Sequence, residues 1–235
     1  MNYLEQYLDI NNQFSLIMKD SLTDENLRIH AKANCFMEDM LKLLETMDNY
    51  YEVEIYKEAL EEYKNFLLFW SIGLYKYAYM TLRSYFELFL FGISLSINEL
   101  DYKLWKNGDR DLYWSEIVDE DNGLFSGKYV DAFCCELSEY RKQFLNMAKL
   151  CYRECSEYIH SNYNKFVGHK SIKFEQDEFD NIADKLETIN KVICYQFFIR
   201  YWDTIQNENR QSVIEEIIID NLGEIREIHM LFKGE

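Results

Sequence analysis

Arg153 and His160, in the stretch YRECSEYIHSN, are the side chains whose types and spacing carry a recognisable chemistry. Six residues separate them. Seven steps of 100° return nearly to the starting direction, so both side chains face the same way on a continuous helix. Their axial separation is then on the order of 10 Å, too long for the pair to act on one bond from a straight helix. Either the helix ends near Ile159 and His160 folds back, or two copies pair across a symmetric dimer and both Arg–His pairs converge. A histidine titrating near neutrality can remove the proton of a ribose 2′-hydroxyl. The planar fork of an arginine matches phosphate oxygens and stabilises the charge that builds on them. Such RNA cleavage uses neither metal nor cofactor, and the sequence holds no convincing carboxylate cluster for magnesium.

The neighbourhood is basic. From 141 to 173 there are seven basic residues (Arg141, Lys142, Lys149, Arg153, Lys165, Lys170, Lys173) against two acids, a net +5. The remainder therefore carries −22 of the overall −17. A local basic patch in an acidic chain suits a phosphate-binding cleft, with Lys149 and Lys165 as substrate contacts. It equally suits a face docked onto acidic surface, this chain's own or a partner's. Tyr158 and Asn162 flank the histidine and either orient base and phosphate or serve packing and helix capping. Arg83 and Glu87, four apart in an apolar segment, form a structural ion pair or extend the substrate pocket. Tyr152, Tyr158 and Tyr163 have rings on which bases can stack.

The other compositional features exclude several classes. A net charge of −17 repels nucleic acid and anionic membrane unless a local patch overrides it. No Gly-rich phosphate loop, nucleophile elbow or metalloprotease motif is present. Cys151 and Cys155 have helical spacing for a metal, but no second Cys pair or His cluster accompanies them, so the six cysteines read as small core residues. The opening MNYLEQYLDI is polar and acidic, unlike an export signal; this suggests a cytoplasmic protein without disulfides. Lys76, Arg83 and Glu87 interrupt the longest apolar run, which argues against a membrane span.

The chain has 235 residues, no proline and only eight glycines, which favours long helices over hairpins. The reading is an all-α, single-domain bundle. Residues 1–50 are N-terminal helices (about 2–19 and 24–48, with Ser21 or Thr23 as cap), 54–206 form the core, and 211–235 are a helical tail. Within the core, 54–98 is too long for one helix and breaks at Ser71-Ile72-Gly73. The second half, about 75–97, is apolar on nearly every side and is expected to be the central buried helix. Residues 101–127, rich in charge, are expected to be a long, partly ordered connection, either a lid or a contact surface. Helices over 128–160 and 175–206 follow. The Ile217-Ile218-Ile219 run in the tail suits a helix or a strand.

This arrangement resembles the HEPN superfamily, whose motif is an Arg followed after four to six residues by a His on a late helix of an all-helical domain. Two further likenesses are local. Residues 70–88, WSIGLYKYAYMTLRSYFEL, resemble the HEPN helical hairpin, with a small turn at Gly73, then Ala78, Leu82, Arg83 and Glu87. SEYIHS resembles the Ser-x-Tyr-Val-His ending of HEPN-like proteins in bacterial conflict systems. The resemblance implies a metal-independent, dimeric endoribonuclease of an anti-phage defence or toxin–antitoxin system, with an antitoxin or other defence protein as partner. In many active members a small polar residue follows the arginine; here it is Glu154. Some HEPN-like domains are inactive scaffolds, so the second reading is a non-catalytic subunit or immunity protein that binds a basic partner. A third is a small-ligand sensor with its pocket between the two central helices.

Overall fold

The computed structural model describes residues 2–47, 49–159, 172–207 and 211–233. Among them are eleven α-helices and no strand. They are α1 (Tyr3–Ser21), α2 (Asp24–Glu45), α3 (Val53–Ser71), α4 (Tyr75–Leu95), α5 (Glu99–Lys106), α6 (Trp114–Ile117), α7 (Gly127–Cys134), α8 (Arg141–Ile159), α9 (Gln176–Asn207), α10 (Gln211–Leu222) and α11 (Arg226–Lys233). The expected all-α class holds, and the Ile217-Ile218-Ile219 run is helical, inside α10.

The α3–α4 hairpin is the framework for everything else. Helix α3 ends where expected, because Gly73 supplies a left-handed residue (φ +71°). Leu74 N–H then donates to Phe69 O (3.0 Å) and Gly73 N–H to Trp70 O (3.3 Å), the paired bonds of a Schellman stop. The helices approach closely at Gly92, where an added Cβ would lie 2.4 Å from the ring of Tyr56. That ring is stacked on Phe89 at 4.7 Å. Helix α4 buries aromatic and aliphatic residues around its circumference, including Tyr79, Leu82, Tyr85, Phe86, Phe89 and Leu90, and packs against α3, α8 and α9. Removing such side chains from water is the main favourable term in folding, about 1.5–3 kcal/mol for each large residue. One contiguous buried cluster joins residues of every helix from α2 to α11 except α5, whose Tyr102 packs with Ile55 and Leu95 in a second, small cluster.

Two stretches differ from expectation, and the N-terminal helix keeps apolar residues exposed. The helix expected over 128–160 is α7, then a 3₁₀ segment at Cys135–Tyr140, then α8. The break falls at Cys134, whose backbone is extended (φ −161°, ψ 81°); beyond it Leu137 is fully buried and its carbonyl accepts from Tyr195 Oη (2.9 Å). The expected lid, 101–127, is instead packed down. Asn98 caps α5, Asp119 Oδ1 accepts from the backbone N–H of Asp121 and Asn122, and Ile117, Leu124 and Phe125 are buried. Finally, α1 keeps Tyr3, Leu4, Tyr7 and Leu8 exposed; it is tied at its C-terminal end, where Ser21 Oγ donates to Ser71 O. Thr23 occupies the N-cap position of α2 without a side-chain bond.

Candidate functional site

Helix α8 divides into two faces. Phe144, Leu145, Ala148, Cys151 and Cys155 point into the core, at steps of three and four. Lys149 and Arg153, four apart, are exposed. Burial pushes the Cys151 thiol up to about 11 and the Cys155 thiol up to about 12, so both are neutral core residues at pH 7. Among the described residues no group of three or more His, Cys, Asp or Glu side chains is placed to hold a metal ion.

Arg153 forms an ion pair with none of the described residues. Its neighbour Glu154 is paired with Lys185 of α9. The acid that departs from the familiar motif is thus neutralised by a second helix. Lys149 Nζ is 2.9 Å from Glu120 Oε1, in the connection before α7, and this exposed pair also holds the Glu120 carboxyl below its usual range. His160, Asn162, Tyr163, Lys165 and Lys170 lie outside the described residues, which resume at Ile172.

The other expected contacts are engaged within the protein. Arg83 Nη2 reaches Glu87 Oε1 (3.1 Å) and Tyr152 Oη (2.6 Å), and its guanidinium carbon sits 4.4 Å from the Tyr152 ring centre. The ring of Tyr152 is stacked, nearly parallel, on Trp114 of α6 at 4.1 Å. Burial, then the charge of Glu87, raises the Tyr152 hydroxyl's pKa. One turn and a half further along α8, Tyr158 stacks on Tyr79 (3.7 Å) and donates to Glu178 of α9 (3.2 Å). Burial pushes the Tyr158 hydroxyl up to about 12, so it remains a donor at neutral pH. Arg83, Glu87, Tyr152 and Trp114 therefore form one half-buried cluster beneath α8, and Tyr158, Tyr79 and Glu178 form another. Trp114, Glu178, Lys185 and Glu120 are the partners that sequence reasoning did not single out, and no local spacing marks them.

His30 and His229 are both occupied. His30 Nε2 bonds Leu67 O (3.1 Å) and Nδ1 bonds Asn34 (3.0 Å), while His229 Nε2 bonds Gly223 O (2.8 Å). A separate cavity of about 300 Å³ opens between α2, α9 and α10, with Trp70 of α3 in its lining, rather than between the two hairpin helices. No helix of the described residues is long and apolar enough to cross a membrane. No family model matches the sequence, and no curated protein or solved structure matches it significantly.

Proposed function

We propose that the protein is a HEPN-like, metal-independent endoribonuclease of a bacterial anti-phage defence or toxin–antitoxin system, acting as a homodimer. Arg153 is its phosphate ligand and His160 its general base. The observation that carries the reading is the state of Arg153. It is an exposed guanidinium, without an ion pair among the described residues, in the last two turns of α8, and the acid beside it is taken up by Lys185. An unpaired guanidinium is free to take a phosphate in its planar fork. In the proposed reaction the imidazole accepts the 2′-hydroxyl proton and O2′ bonds to phosphorus. The P–O5′ bond breaks, and the departing oxygen takes a proton from solvent, leaving a 2′,3′-cyclic phosphate and a 5′-hydroxyl. Arg153 balances the charge on the non-bridging oxygens. The RNA contacts beyond this pair are Lys149, Asn162 and Lys165, with Tyr158, Arg83 and Glu87, which are engaged within the protein, behind them.

The test is substitution at the two motif positions. Arg153→Ala and His160→Ala are each expected to slow cleavage by roughly two orders of magnitude or more, the scale of losing a charge-stabilising or acid–base group. Arg153 is exposed, so its variant should keep the wild-type melting temperature. Cleavage at the wild-type rate in both variants overturns the assignment.

One observation favours a second reading, a non-catalytic HEPN-like subunit or immunity protein that binds a basic partner. Lys149 and Lys173 are held by Glu120 and Glu175, so the basic patch is partly spent inside the protein. Under that reading His160→Ala leaves the biological phenotype intact, whereas charge reversal on the acidic surface abolishes it.

A further inference from the structure

Helix α1 carries one apolar stripe and packs only half of it. Tyr3, Tyr7, Ile10, Phe14, Ile17 and Ser21 recur at alternating steps of four and three, the spacing of a helix that lies along another helix. The C-terminal half of the stripe is seated at the tip of the α3–α4 hairpin. Phe14 and Ile17 are half-buried, and Ser21 is buried and donates to Ser71 O. Ile17 Cγ2 lies 3.2 Å from where a Cβ on Gly73 would stand. The N-terminal half overhangs the body: every residue from Asn2 to Gln13 is exposed. At 1.5 Å per residue the exposed part of the helix is about 16 Å long. A helix in water owes most of its stability to packing of its apolar face, so an overhang of this length calls for a partner.

The chain itself carries a surface that fits. The stripe is continuous, so the hairpin tip that receives its seated half suits its overhanging half as well. That tip keeps Leu68, Tyr77 and Met80 exposed, at 51%, 51% and 38%. The charges are complementary. Glu5 and Asp9 are the charged residues of 2–18, whereas Lys76 is the charged residue of 68–80. The areas are sufficient. Tyr3, Leu4, Tyr7, Leu8 and Ile10 are 40% to 71% exposed. With ~200 Å² for each whole side chain, these five and the three tip residues offer roughly 900 Å² per copy, and a stable interface buries about 800 Å² per partner. An anionic membrane is a poor alternative, because the overhang is acidic and the whole chain carries −17.

We propose that α1 is an arm through which two copies of this chain embrace. The two α1 helices run antiparallel about a two-fold axis. Each keeps its own C-terminal half on its own hairpin tip and lays its N-terminal half on the tip of the other copy. The interface is isologous, because the same two patches meet twice. It does not depend on RNA cleavage, and it names the surface that holds the two copies together.

The experiment is sedimentation velocity of the full chain across the micromolar range, with one variant in each half of the interface. Leu4→Glu/Tyr7→Glu changes the overhang and Tyr77→Glu changes the tip. All three side chains are more than half exposed, so both variants should keep the wild-type near-ultraviolet circular dichroism. The wild type is expected to sediment as a dimer, and each variant to raise the dissociation constant on the order of tenfold or more. A wild-type monomer throughout the range overturns the proposal, and so does an overhang that binds phosphatidylcholine vesicles in place of a second copy. A dimer undiminished in either variant also overturns it, and leaves a dimer built around Arg153 and His160 standing. Conversely, a wild-type dimer that the variants dissociate but that cleaves no RNA supports this interface and removes the ribonuclease reading.

Discussion

Replacing Lys185 by methionine probes the electrostatic setting of Arg153. Lys185 and Glu154 pair across α8 and α9, with side chains 20% and 28% exposed. Removing the ammonium strands a carboxylate that is mostly sheltered, which costs about 1–3 kcal/mol after allowing for the solvent that still reaches it. For a domain of this size each kcal/mol moves the melting temperature by about 2–4 °C, so a drop of roughly 2–12 °C is expected. The substitution also adds one uncompensated negative charge beside Arg153. Taking that charge as roughly 10 Å from a phosphate on the guanidinium, Coulomb's law gives about 0.4 kcal/mol in water and ~1.7 kcal/mol at an effective dielectric of about 20. RNA affinity should therefore weaken roughly 2- to 18-fold at low salt, and less as salt screens the charge. Fluorescence anisotropy with a short labelled RNA measures this directly. Adding Glu154→Gln to Lys185→Met removes the stranded charge and should restore the affinity. An unchanged affinity in Lys185→Met, or no recovery in the double variant, refutes the reasoning that Lys185 shields the phosphate site from Glu154.

Other expectations are more local. Burial holds the His30 imidazole below its ordinary value of 6.5, against the raising effect of its bond to Leu67 O. Its folded pKa is the lower one, so the stability it contributes is complete above about pH 6.5 and declines as pH falls below that; His30→Gln should flatten the loss of melting temperature between pH 7 and 5. Tyr201 Oη donates to the buried carboxylate of Glu52, and Tyr56 Oη lies 2.9 Å from Tyr201 Oη. Tyr201→Phe leaves Glu52 without that donor and should cost about 2–4 kcal/mol in chemical denaturation, whereas a loss under about 0.5 kcal/mol contradicts the network. Sedimentation velocity at micromolar concentration should give a dimer, and a strict monomer that still cleaves RNA removes the composite site.

Helix positions were legible where the signal was local. The break at Gly73 follows from one residue's freedom at positive φ, and the Arg83–Glu87 pair follows from i,i+4 spacing on α4. What escaped depends on contacts between distant segments. Residues 101–127 carry so much charge that they read as a loose connection, yet three apolar residues among them, Ile117, Leu124 and Phe125, anchor the stretch in the core. The segment that interrupts α7 and α8 meets the hydroxyl of Tyr195, 58 residues beyond the carbonyl it binds. Likewise, the neutralisation of Glu154 comes from a lysine 31 residues away on another helix. The cation-lined reading of 141–173 counted charges without their partners, and Glu120 and Glu175 take two of the lysines, Lys149 and Lys173. The cavity is built from four helices, none of which marks it alone.

The most direct measurement is the chemistry of the RNA ends produced by the purified wild-type protein in the presence of EDTA. A 2′-hydroxyl nucleophile activated by His160 and a phosphate held by Arg153 predict undiminished cleavage, with 2′,3′-cyclic phosphate on one product and a 5′-hydroxyl on the other. Cleavage abolished by EDTA, or products bearing a 5′-phosphate and a 3′-hydroxyl, would contradict the account.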